Sequence, residues 1–506
     1  MPNLSNNPST PSQEPLTSST PSTTPSKKRR NSEEELASKP ITFFKKQDRI
    51  YPKRVWGKYR KLKWLAMIVT LGIYYLAPFI RWDRGPNAPD QAILIDLNNG
   101  RAYWFFIEIW PQEVYYLTGI LVLAAIVLFF VTSLFGRVWC GYTCPQTVWT
   151  DLYVWVERIV QGDRAARKRL HEAPWSFEKV RKLALTHFIW LVIAWCTGGA
   201  FVLYFNDAPT LVRSFFDFDV SPTVLAFIGG LTISTYVMAG FAREQVCTYM
   251  CPYARFQSAM FDEDTLIIGY DEKRGEPRGS HKKGESWDGR GDCIDCTACV
   301  QVCPTGIDIR HGLQMECIAC GLCVDACNNI MDKVERPRGL IRYDTMRHMK
   351  LKAQGIEQQF RILRPRTIYY GAVISGVCLI MLTALLTRSN LEMTALHDRN
   401  PLFVKLSDGT IRNGYEIKIL NKTHDDRTFR LSLEGLEDAV INVRSAGDVT
   451  PDQIFVPADS VGHYHIFVLA PMKPDDPKDI VFTLKDKNSD QSDTYESVFI
   501  SRRPKG

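Results

Sequence analysis

Eight of the chain's 14 cysteines fall in two consecutive runs, Cys293-x-x-Cys296-x-x-Cys299-x-x-x-Cys303-Pro304 and Cys317-x-x-Cys320-x-x-Cys323-x-x-x-Cys327. Three thiolates at this interval can hold three corners of a cubane, and in paired runs the fourth cysteine reaches across to the other cluster. The spacing therefore predicts two 4Fe-4S clusters. One would sit on Cys293, Cys296, Cys299 and Cys327, the other on Cys317, Cys320, Cys323 and Cys303. The small residues Ala298, Ala319 and Gly321 stand where backbone amides must approach inorganic sulfide. The second run ends Cys327-Asn328, which removes a turn-fixing proline but no ligand. Structural zinc requires neither the third C-x-x-C step nor a remote fourth thiol, so one-electron transfer is the chemistry expected.

A second, sparser pattern is Arg137-Val-Trp-Cys140-Gly-Tyr142-Thr-Cys144-Pro145 and Arg243-Glu-Gln-Val-Cys247-Thr-Tyr249-Met250-Cys251-Pro252. Aligning the cysteines also aligns Tyr142 with Tyr249 and the two prolines, as in a parallel internal repeat. Proline suits the first turn of a new helix, so Cys144 and Cys251 are expected at helix N-termini, where the dipole favours thiolate. Arg137 and Arg243 would add positive charge. Cys140, Cys144, Cys247 and Cys251 would suit soft Cu(I), with Met250 as a thioether partner. They would also suit a further iron–sulfur cluster, or be packed and redox-inert. The residues alone leave these three readings open.

The elements that must position these thiols are apolar. The mean hydropathy is slightly negative, but long apolar runs alternate with charged stretches. Runs at about 64–80, 114–135, 183–205, 222–241 and 367–387 approach the ~20 residues that span a bilayer. Each C-x-x-x-C-P element follows such a run, the second and the fourth. Nine Lys and Arg lie between residues 136 and 182, while residues 81–113 have three against five acidic groups. Basic loops stay in the cytoplasm. A bacterial inner-membrane protein is expected, with the N-terminus and residues 242–366 inside and residues 388–506 in the periplasm.

The domain reading is then sequential. Residues 1–38, rich in Ser, Thr and Pro, should be disordered, and 39–63 form a basic cytoplasmic lead. Four spans occupy 64–241, with the second cysteine element extending to 257. A cytoplasmic insert, 258–366, has a ferredoxin-like core at 290–335. The fifth span, 367–387, leads to 388–506, where seven or eight short runs at about ten-residue spacing read as an immunoglobulin-like β-sandwich. No cysteine falls in that tail, which excludes the antibody-type disulfide. The fold class is thus a multi-domain membrane protein: an α-helical bundle, a two-cluster ferredoxin-like insert and an all-β tail.

Other features are assigned bland roles. His187, alone within a span, reads as a packing or hydrogen-bonding residue, which argues against a bis-histidine haem. Cys196 and Cys378 read as small apolar residues, and His463 and His465 as a structural pair on one strand face. No G-x-G-x-x-G joins a strand to a helix, and the formal charge of +7 does not point to nucleic acid.

From about Phe43 onward the chain resembles the FixG/CcoG (RdxA-like) cytochrome c oxidase accessory proteins. The likeness rests on the basic lead, V-W-C-G-Y-T-C-P-Q-T-V-W at 138–149, C-T-Y-M-C-P-Y-A-R-F-Q at 247–257, the double ferredoxin run and the β tail. The paired C-x-x-x-C-P elements alone are shared with the wider polyferredoxin group, which includes NapH-like quinol-oxidising proteins. The resemblance implies reduction of Cu(II) to Cu(I) for maturation of cbb-type oxidases. Cys140, Cys144, Cys247 and Cys251 would then handle copper as substrate. The implied partners are a cytoplasmic electron donor, copper-trafficking proteins and the oxidase catalytic subunit; a homodimer stays open. Two other readings are a quinol-oxidising redox component and a non-catalytic assembly scaffold.

Overall fold

The computed structural model describes residues 49–85, 88–282, 284–356, 361–444, 450–471 and 477–501. The expected disordered tail and the start of the basic lead lie outside them. Among the described residues, five helices are long and apolar enough to cross a bilayer: Lys58–Phe79, Pro111–Phe135, Phe177–Val202, Pro222–Met250 and Pro365–Leu386. Proline opens three of them at the first turn, where its missing N–H has no helical partner to lose.

The first helix corrects the expected boundary. α1 (Lys58–Leu76) begins six residues before the apolar run, so the end of the basic lead is already helical. Hydropathy places Arg60 and Lys63 in solvent, yet both are buried. Arg60 reaches Asp151 at 2.9 Å. Burial alone would raise the Asp151 carboxyl, but Lys63 and Arg60 together hold it below its usual range. The loop after α1 holds a small antiparallel sheet that hydropathy did not reveal: β1 (Ile93–Asp96), β2 (Arg101–Trp104) and β3 (Ile107–Ile109).

α2 (Val114–Phe135) runs back across and ends at Gly136, whose φ of 59° no larger residue adopts readily. The short α3 (Val138–Tyr142) and the amphipathic α4 (Pro145–Gln161) follow. α5 (Phe177–Val202) is capped by the Ser176 hydroxyl. The fourth span outruns its expected end at 241: α6 (Pro222–Val237) continues through π-helical turns at Met238–Ala242 and Val246–Met250, and α7 (Pro252–Met260) follows. Such π turns insert an extra residue per turn and re-aim the side chains they carry.

In the insert, β4 (Leu266–Tyr270) pairs antiparallel with β5 (Ile341–Thr345). Between them lie α8 (Ala298–Val302) and α9 (Leu322–Lys333). α10 (Pro365–Leu386) is the fifth long helix. The tail then forms two facing sheets. One is β10 (Val440–Arg444), β12 (Ser460–Pro471), β8 (Thr410–Asn421) and β6 (Leu391–His397), with β7 (Val404–Lys405) also on β8. The other is β11 (Ile454–Val456), β9 (Arg427–Glu434), β13 (Lys478–Asp486) and β14 (Ser492–Phe499). Alternate residues point inward, Tyr464, Ile466, Val468 and Ala470 on β12 against Ile480, Phe482 and Leu484 on β13. Dry apolar packing therefore holds the sandwich without a disulfide.

Candidate metal centre and membrane-edge thiols

The two cysteine runs of the insert adopt the same backbone. Asp295 and Thr297 have φ of 52° and 55°, and Ala319 and Gly321, at the equivalent places, 50° and 73°. Left-handed residues at such intervals turn successive N–H groups toward one concavity, the arrangement that cradles anionic centres. The residues missed in the first run were therefore Asp295 and Thr297, which composition does not mark as loop-forming glycines would.

Each run faces an apolar recess. Cys293, Cys296, Cys299 and Cys327 line one. Cys303, Cys317, Cys320 and Cys323 line the other, where Cys299 also reaches. The fourth cysteine of each run thus crosses to the opposite recess. Burial pushes the thiols of Cys317 and Cys327 up to about 12 and that of Cys299 to about 11. Buried thiols of this kind would stay protonated in a metal-free chain; iron deprotonates its thiol ligands outright. Eight thiols, two recesses and two amide-rich loops fit a pair of iron–sulfur clusters, whereas hydrophobic packing alone would not select sulfur at all eight places.

The membrane-edge element of α3 presses directly on the second recess. A Cβ on Gly141 would lie 2.7 Å from the Ile318 carbonyl oxygen and 3.1 Å from Cys320 Cα, so only glycine allows this approach. The Tyr142 hydroxyl donates to the Cys320 carbonyl at 3.1 Å, and the Tyr343 hydroxyl to that of Ala319 at 2.5 Å. Arg137 is buried and donates to two backbone carbonyls, Met315 in the cluster loop and Ala254 in α7. One guanidinium thereby ties both cysteine elements to the insert.

The structure brings the four membrane-edge thiols together. Cys140 is pushed up to about 12 by burial first and then by its neighbour Cys144, with smaller contributions from Cys247 and Cys251 that Arg137 partly opposes. The Cys140 thiol donates to Gln257 Oε1 at 3.2 Å. Cys144 and Cys251 are the N-caps of α4 and α7, each followed by proline at the first turn, as the sequence predicts. Cys247 faces a small cavity shared with Pro304, Thr305 and Ile318 of the cluster loops.

Two expectations about this region change. Arg243 does not present its charge to the thiols: it bonds Glu157 at 2.7 Å, and Arg167 holds the same carboxylate at 2.8 Å, all three being buried. A lone apolar-face glutamate on α4 was the signal. The repeat is also unequal, because Tyr142 is buried while Tyr249 and Met250 are exposed. Among the described residues, the group of three or more His, Cys, Asp or Glu ligand atoms within 4.8 Å of one another is Glu108, His424 and Asp459, which includes none of these thiols.

His187 Nδ1 pairs with the Tyr236 hydroxyl at 2.9 Å, and Cys196 and Cys378 lie on outward helix faces. His465 pairs with Asp398 at 3.0 Å and His463 with Glu416 at 3.7 Å.

Comparison with known proteins agrees with the geometry. Residues 242–346 match the family model of a 4Fe-4S dicluster domain, 117–162 that of a 4Fe-4S binding domain, and 381–502 that of the Ig-like fold at the C-terminus of FixG. The nitrogen fixation protein FixG of Rhizobium meliloti is 47% identical over 489 residues, covering 90% of this chain and 93% of that protein. Protein RdxB of Cereibacter sphaeroides is 45% identical over 469 residues, 91% of this chain and 98% of its own. The ferredoxin-type protein NapH of Haemophilus influenzae is 24% identical over 220 residues, 40% of this chain and 64% of its own. Nearly its whole length being matched, the chain belongs to the FixG family of membrane-associated iron–sulfur electron-transfer proteins.

Proposed function

We propose that this protein reduces Cu(II) to Cu(I) at Cys140, Cys144, Cys247 and Cys251, for assembly of a cbb-type cytochrome c oxidase. Cys293, Cys296, Cys299 and Cys327 would hold one 4Fe-4S cluster, and Cys303, Cys317, Cys320 and Cys323 the second. When bound, these clusters supply one-electron chemistry. The single observation that carries the reading is the abutment of α3 on the second recess, with Gly141 against Ile318 and Tyr142 bonded to Cys320. Reduction takes one electron per ion from a cytoplasmic donor. The thiols lose protons as they capture the ion, and soft thiolates retain Cu(I) in preference to Cu(II). The basic loops support the sidedness, with the insert cytoplasmic and the β domain periplasmic.

A specific observation favours a second reading, a third cluster on the same four thiols. The 4Fe-4S binding model covers Cys140 and Cys144. One experiment separates them. Anaerobically reduced protein is mixed with Cu(II), and cluster bleaching is followed beside Cu(I) capture by a chelator, in wild type and in Cys247→Ser/Cys251→Ser. Stoichiometric Cu(I) in wild type, lost in the variant at unchanged iron content, supports the cupric reductase. Loss of roughly four iron atoms from the variant identifies a cluster site. Equal copper reduction by both proteins removes the thiols from the route.

A further inference from the structure

At the end of the bundle opposite the thiols, the β1–β3 sheet meets the β domain. Two contacts fix them. The buried Glu113 carboxylate, just ahead of α2, accepts from Lys422 Nζ at 2.8 Å and forms an ion pair with Arg388, whose Nε lies 2.8 Å away. Arg101 of β2 lies 3.7 Å over the Trp110 ring and donates to the Asp459 carbonyl at 2.8 Å. Between these contacts, Glu108 of β3, His424 of the β8–β9 turn and Asp459 of the β11–β12 turn bring one ligand atom each within 4.8 Å of one another. The three come from two separate units, so no local turn accounts for their meeting.

Glu108 and Asp459 are each only 7% exposed. Glu108 Oε1 and Asp459 Oδ1 are buried with no hydrogen-bond partner among the described residues. His424 Nδ1 pairs with Asp459 Oδ2 at 2.8 Å while its ring stays about half in solvent. Two adjacent carboxylates taken out of water are costly unless a cation compensates them. The nearby Arg84 does not do so directly: its N–H groups go to the carbonyls of Phe105, Pro89, Gln91 and Ala92.

We propose that Glu108, His424 and Asp459 bind one divalent transition-metal ion of the zinc class, which clasps the β1–β3 sheet to the β domain. Two carboxylate oxygens and an imidazole form a borderline donor set, outside the all-oxygen shell that calcium takes. Bonds of about 2.0–2.2 Å would require the donors, which lie within 4.8 Å of one another, to rearrange around the ion. The exposed His424 ring is free to make that adjustment. Three protein ligands leave a position open toward solvent, on the exposed side of His424.

The test uses the full-length protein in detergent with its clusters loaded. Wild type, Glu108→Gln and His424→Gln are equilibrated with zinc, dialysed against a moderate chelator, and assayed for zinc and iron by mass spectrometry. The cysteine thiols are common to all three, so their background cancels. Wild type is expected to retain one more zinc per chain than either variant at equal iron, with affinity weakened at least about tenfold in the variants. Equal zinc retention in all three proteins would overturn the site. His424→Gln alters a half-exposed turn side chain, so a misfolded Glu108→Gln would not leave the question open.

Discussion

Asp325 joins the cluster-binding insert to the first membrane helix, and its removal gives a calculable cost. The carboxylate lies on α9 between Cys323 and Cys327 and is 4% exposed. Its two oxygens accept the backbone N–H groups of Tyr59 at 3.3 Å and Arg60 at 2.8 Å. These are the second and third residues of α1, whose N-cap, Gly57, has no side chain to satisfy them. Asp325 is therefore an N-cap supplied from a distant part of the chain, and its charge meets the positive end of the helix. In Asp325→Ala, one buried and one part-buried donor lose their acceptor, at about 1–3 kcal/mol each. With some relaxation the sum is about 2–5 kcal/mol, or roughly 30- to 4000-fold in the folding equilibrium of this junction. Asp325→Asn keeps one acceptor oxygen and should cost about half as much. Gly57→Ala should mimic the loss with the carboxylate intact, because a Cβ there would run into Asp325. The readout is the denaturant midpoint for loss of visible cluster absorption, together with iron content before denaturation. If Asp325→Ala bleached within about 0.5 kcal/mol of wild type, the capping argument would be refuted.

Other outcomes follow from the same geometry. Cys327→Ala should lose about four iron atoms and keep the cluster of Cys317, Cys320 and Cys323; iron analysis with EPR checks this, and loss of the other signal would disprove the crossing. Glu157→Gln leaves Arg167 and Arg243 sharing a neutral amide and should destabilise the thiol region by about 3–5 kcal/mol, read from thermal aggregation and iron retention. Asp262 sits below the usual carboxylate range, because the Thr265 hydroxyl and the Arg364 guanidinium outweigh its partial burial. A depressed folded value means this contribution is full above the ordinary carboxyl pKa and is lost as pH falls through the folded value. Asp262→Asn should flatten that acid limb of the denaturation profile.

Elements with strong periodic or spacing signals were legible in the sequence. The long helices, the alternating strands of the tail and the crossing of Cys303 and Cys327 all follow from patterns that need no tertiary knowledge. What escaped was set by partners distant in the chain. Arg60 and Lys63 look like solvated flank until Asp151 and Asp325 are placed beside them. Arg243 looks like a free positive charge until Glu157 arrives from α4. The Glu108, His424 and Asp459 cluster joins residues more than 300 positions apart, which no local motif could announce.

The inequality of the two cysteine elements decides how the proposed chemistry would be divided. Tyr142 is buried and bonded to the cluster loop, and Gly141 permits backbone contact there, so the α3 element is fixed to the electron source. Tyr249 and Met250 make no such contact and are exposed in the chain, and Cys247 lines a cavity between π-helical turn and cluster loop, so the other element is the one less tied to the insert. On the cupric reading, the ion would enter at Cys247 and Cys251, while electrons arrive through the α3 contact. Gly141→Val tests this division. Its Cβ would press on the Ile318 carbonyl from 2.7 Å, an overpacking cost of about 1–3 kcal/mol that lifts α3 off the recess. Copper reduction should slow with iron content and Cu(I) affinity both retained. Unchanged reduction at full iron content would place the electron route elsewhere, through the Cys247 cavity and Thr305.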